Sequence, residues 1–189
     1  MLMIVLRFLH VVSGALWVGM FAFMTFFLMP AFAEAGPEGA KVQGALMRRR
    51  IPVIMPVIAL VTLVTGFWLF QRLSGGAAGA FMKTPTGRAF GVGGLSALLA
   101  FVVGVIVGRP VMMRMAKLGE SLPTAAPADR PGITAEMQRL RGRSATLNRV
   151  VMVLLLLALT AMAVARSLSM TCAQPSARFF PLAYGSSAR

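Results

Sequence analysis

No aspartate or glutamate falls inside any of the four long apolar stretches of this chain, and acids total five against nineteen lysines and arginines. Proton-coupled carriers and pumps use intramembrane carboxylates as relays, so that class is disfavoured from the start. Cys172 is the only cysteine, which excludes an internal disulfide, a CxxC pair and a four-thiolate metal site. His10 is the only histidine. There is no phosphate-binding Walker loop, no glycine-rich dinucleotide turn, no Ser-x-x-Lys and no His-Glu pair, the arrangements that carry common enzymatic chemistries. An autonomous enzyme is not expected.

What the chain has is apolar length. Residues 8–33, 51–71 and 89–108 contain no Asp, Glu, Lys or Arg, and residues 150–165 lie between Arg149 and Arg166. A helix needs about 20 residues to cross the hydrocarbon core. The first three runs meet that length, and the fourth does so if its flanking arginines snorkel to the interfaces. The hydrophobic fraction of 58% and the mean hydropathy of +0.80 lie beyond the soluble range. The runs are too long for the strands of a buried sheet and lack the alternation of a β-barrel. The sequence therefore predicts an all-α, four-transmembrane-helix bundle. Its spans cover about 5–30, 51–71, 88–109 and 146–168, in one membrane domain over 1–170 with a tail at 171–189. Ala31-Phe32-Ala33 has the small-x-small form of a cleavage site, but the apolar run before it exceeds a signal-peptide core, so a retained helix is expected.

The formal net charge of +14 would suggest nucleic acid in a soluble protein. Here the basic residues flank apolar spans, where lipid headgroups meet them, and none is interleaved with aromatics for base stacking. The expected partners are the bilayer and other membrane subunits, with no nucleic acid. Lys41, Arg48, Arg49, Arg50, Arg109, Arg114, Lys117, Arg130, Arg139, Arg141, Arg143 and Arg149, twelve in all, lie in loops one and three. The termini and loop two hold Arg7, Arg72, Lys83, Arg88, Arg166, Arg178 and Arg189, which is seven. Positive residues stay cytoplasmic, so both termini are expected on the periplasmic side of a bacterial inner membrane. Pro37 opening the run to Arg50 predicts a short interfacial helix in loop one. Loop two, rich in Gly and Ala, is expected to be irregular, and residues 109–119 are expected to extend helix three past the membrane, with Pro110 a candidate kink.

Within the spans, small residues four apart allow close helix approach in lipid. Gly87, Gly91, Gly94, Gly104 and Gly108 mark span three as a packing helix, and Thr62 with Gly66 does the same for span two. Met is abundant (15) without a spacing that selects a copper path. His10 stands near the start of span one, with Gly14 and Trp17 on its helix face. An ionisable group inside a span is a candidate functional residue, and a neutral imidazole can ligate iron or copper or relay a proton. Its bland role is a hydrogen bond to a neighbouring helix.

The pattern Arg7-x-Leu9-His10-x-x-x-Gly14-x-x-Trp17-x-Gly19 resembles the first helix of a broad group of bacterial membrane proteins. That group includes the copper-resistance protein D membrane domain, the membrane domain of cytochrome-linked urate oxidase and membrane protoporphyrinogen oxidase. Residues 143–168 are similar to the last helix of its small members. The resemblance implies four spans and makes His10, with Trp17 beside it, the position of a haem b or metal ligand. With one histidine, a bis-histidine haem within one chain is excluded, while a His–Met pair stays open. Taken together, the residues predict a non-catalytic accessory subunit docked in a larger, energy-transducing membrane complex, respiratory or photosynthetic, that carries no cofactor. The alternative is a small redox protein built around His10.

Overall fold

The computed structural model describes residues 1–172. Among them the secondary structure is helical throughout, with no strand. Helix α1 runs Leu2–Glu34, α2 Gly36–Arg48, α3 Ile51–Leu73, α4 Ala78–Phe81, α5 Pro85–Ser121 and α6 Arg130–Cys172. Four of these, α1, α3, α5 and α6, are long and apolar enough to cross a membrane. Only 11–22% of the apolar stretch of each is buried inside the bundle, so most of each span turns apolar side chains outward. That surface is stable against hydrocarbon and not against water.

Local chemistry explains the helix ends. The Thr84 hydroxyl accepts from the Gly87 N–H at 3.0 Å, and Pro85 follows in the first turn, giving α5 a capped start. Gly36, at φ +57, breaks α1 from α2. Arg50 takes the left-handed conformation at φ 61, which reverses the chain into α3. Loop two is more ordered than its composition suggested. It contains the one-turn α4, pinned by an edge contact of 5.6 Å between the rings of Phe70 and Phe81.

Both π-turns share one cause. Met24–Leu28 ends two residues before Pro30, and Val103–Gly108 ends two before Pro110. Proline removes an N–H and its ring pushes on the carbonyl four residues back. The preceding turn relaxes into i→i+5 bonds, so α1 and α5 continue through their prolines.

The four spans form two tight pairs, α1 with α3 and α5 with α6. They meet in one core cluster to which each contributes: Trp17 from α1, Ala59 from α3, Ala100 from α5, and Val151 and Leu155 from α6. One large ring, two alanines, a valine and a leucine make up this cluster. Helix three continues past the membrane edge predicted at 109, as expected for residues 109–119, and ends at Ser121. At about 1.5 Å per residue, the 37 residues of α5 span about 55 Å, well beyond the ~30 Å of hydrocarbon. The projecting ends of α5 and α6 run side by side, tied by Arg114 and Glu136 at 2.6 Å. Residues 171 and 172 belong to α6, and the rest of the predicted tail lies outside the described residues.

Candidate functional site

The polar residues inside the spans converge on the seam between α1 and α3. The two helices are antiparallel, which sets His10 against Gly66 and Ser13 and Gly14 against Thr62, with Trp17 and Ala59 in the core cluster below. On each helix the seam residues recur at three or four positions, so each set forms one face.

His10 Nδ1 lies 2.9 Å from the Thr62 carbonyl oxygen. A carbonyl can only accept, so the proton of a neutral ring sits on Nδ1 and the lone pair on Nε2. Thr65 Oγ1 stands 3.4 Å from the same nitrogen and donates to the Val61 carbonyl at 2.6 Å. Thr62 Oγ1 lies 2.9 Å from both Ser13 Oγ and the Ile58 carbonyl, with one proton to give, and Ser13 Oγ donates to the Leu9 carbonyl at 2.6 Å. Each such bond in a membrane contributes about 0.6 kcal/mol on average, up to about 1.7. The seam is a modest polar lock between two helices.

Glycine makes the lock possible. In a helix the side chain at i+4 leans back over the carbonyl at i, and Gly66 leaves the Thr62 carbonyl uncovered. A Cβ at position 66 would stand 2.7 Å from His10 Cε1. Gly14 plays the smaller part, with the Thr62 methyl carbon 3.4 Å from where its Cβ would be.

Among the described residues no buried side-chain nitrogen or oxygen lacks a partner. Nε2 of His10 makes no hydrogen bond there, and the residue is only partly buried. Nε2 therefore keeps some access to the bundle surface, as one nitrogen with a free lone pair inside an apolar span. Trp17 is elsewhere: two turns along α1, 6% exposed, in the core cluster. The ring expected beside a cofactor shares that cluster with residues of the three other spans.

The glycines expected to pack helix three divide. Gly87 belongs to the α5 cap, against the Phe81 carbonyl and the Thr84 hydroxyl, and Gly91 faces the end of the Met82 side chain. Gly94 and Gly104 face open space, and Gly108 has only its own helix nearby. The close approach of α5 to α6 runs instead through Gly93, where a Cβ would stand 3.2 Å from the Ala158 carbonyl and 3.1 Å from the Met162 methyl. Sequence reasoning also passed over Ser13 and Thr65. Their signal was the paired spacing His10-Ser13-Gly14-Trp17 against Thr62-Thr65-Gly66.

Searches against protein-family models, curated proteins and solved structures find no match to this chain.

Proposed function

We propose that the chain is a non-catalytic accessory subunit that docks in a bacterial inner membrane against a larger, energy-transducing assembly, respiratory or photosynthetic, with both termini on the periplasmic side. One observation carries this reading. Nδ1 of His10 and the Thr62 hydroxyl bridge α1 to α3, the Ser13 and Thr65 hydroxyls donate to their own helices beside them, and Trp17 lies in the core cluster. The polar side chains of the α1–α3 seam are engaged within and between those two helices, while the outward faces are long and apolar. Small outward residues such as Gly94 and Gly104, open in the single chain, suit close approach by helices of other subunits. Solubilisation from native membranes in a mild detergent tests it. Stoichiometric co-migration with a larger complex is expected, and migration as the free chain at every detergent level would overturn the reading.

A second reading rests on the tautomer of His10. Histidines that ligate metals or haem commonly donate the other ring N–H to a backbone carbonyl, which orients the ring and raises its basicity. His10 has this arrangement toward Thr62, and its Nε2 lone pair would be the atom that holds a haem b iron or a metal ion. The group would supply one-electron chemistry, with Thr62 and Gly66 orienting the imidazole. The visible spectrum of the purified protein separates the two readings.

A further inference from the structure

The projecting ends of α5 and α6 have a chemistry that the seam at His10 does not use. Three pairings fix their antiparallel register: Gly93 against Ala158 and Met162, Ala100 with Val151 and Leu155, and Arg114 with Glu136. The same register brings Pro110 opposite the turn that carries Leu140 and Arg143. These residues line a cleft of about 360 Å³, within the range of small-ligand sites. It straddles Gly108, where the uncharged run of α5 ends and Arg109 begins the basic segment.

The walls differ in character. Toward the membrane stand Ile106, 66% exposed, and Val107. Away from it stand Arg114 and Arg143. Glu136 neutralises Arg114. Arg143 is exposed and has no acidic partner among the described residues. An occupant complementary to both walls is apolar on the hydrocarbon side and anionic at the water side, at the depth where headgroups lie.

We propose that this cleft binds an anionic phospholipid, with its phosphate on Arg143 and its acyl chain along Ile106 and Val107. Basic pockets between spans at the membrane surface bind such headgroups. A free phosphate shares the headgroup chemistry but leaves the apolar wall uncovered. The site does not depend on the role of His10.

The test uses the full chain in a nonionic detergent, with native mass spectrometry after titration with phosphatidylglycerol, phosphatidylcholine or inorganic phosphate. Phosphatidylglycerol is expected to bind in clear preference to phosphatidylcholine. Arg143→Gln is expected to weaken it about five-fold, the effect of one basic residue at an anionic surface, while Arg143→Lys keeps most of the affinity. Arg72→Gln, at an exposed arginine on the opposite side of the bundle, is expected to change nothing. Equal binding of the two lipids by the unaltered chain would overturn the proposal whatever the variants do. So would equal losses in Arg143→Gln and Arg72→Gln, or displacement of the lipid by inorganic phosphate at similar concentration.

Discussion

The imidazole of His10 occupies the space that a side chain at position 66 would fill, with Cε1 2.7 Å and Nδ1 3.1 Å from where the Cβ of that residue would stand. The two positions are thus coupled across the α1–α3 seam. The ring reaches the Thr62 carbonyl through the gap that Gly66 leaves, and the gap would be an unfilled notch without the ring.

That coupling is measurable. Gly66→Ala should destabilise the protein by about 1–3 kcal/mol, the usual cost of overpacking a closely fitted interior. In a His10→Ala background the same change should cost much less, because the space is then free. A double-mutant cycle on thermal unfolding in detergent reads the difference. An equal cost in both backgrounds would remove the contact as the cause.

A second pair of variants separates adjacent glycines on α5. Gly93→Leu should lower the yield and melting temperature of the isolated chain, since the new side chain meets the Ala158 carbonyl and Met162, and such overpacking costs about 1–3 kcal/mol or more. Gly94→Leu should leave the isolated chain nearly unchanged, because its Cβ points into open space. If Gly94→Leu also weakens retention of the chain in a larger complex, a neighbouring subunit packs on that face. Equal melting of the two variants would contradict the assigned helix faces.

These glycines mark the boundary of what was legible in the sequence. Charge-free runs locate the four spans because the cost of a charge in hydrocarbon is large and local. The same logic locates the membrane edge and not the helix end. Arg109 marks where the membrane stops, and nothing in water stops a helix, so α5 continues to Ser121. The spacing of Gly87, Gly91 and Gly94 identifies a helix able to pack closely, but choosing Gly93 over them requires knowing where α6 lies. At the seam, His10 and Gly66 stood out as rare or small residues within apolar spans. Ser13 and Thr65 did not, since a hydroxyl in a membrane helix can bond its own backbone four residues back. Both do so here, and only their position between the helices adds the cross-link.

The basic bias between the two sides of the bundle predicts orientation. In a Cys172→Ser background, a cysteine at Ala125, in the connection between α5 and α6, should resist an impermeant thiol reagent in intact cells and react after permeabilisation. A cysteine at Lys83, in the exposed loop between α3 and α5, should react in both. The reverse pattern would place the periplasm on the side of loops one and three and overturn the proposed topology.

His10 itself decides between the two functional readings. For an accessory subunit, His10→Ala removes one hydrogen bond to Thr62, worth about 0.6–1.7 kcal/mol. The variant should melt slightly earlier and leave the host assembly intact and active to within a few-fold. For a haem ligand, the loss of Nε2 removes the axial bond that holds the iron, and a visible absorption band present in the unaltered protein should vanish. His10→Gln is the informative companion. Its amide can still donate toward the Thr62 carbonyl but offers iron no imidazole nitrogen, so it should recover stability in both cases and the absorption band in neither. The accessory reading expects no stoichiometric band in the starting protein. A b-type spectrum lost in both variants while Gln restores the melting temperature would transfer the function of this chain from its outer faces to the surface-facing nitrogen of its single histidine.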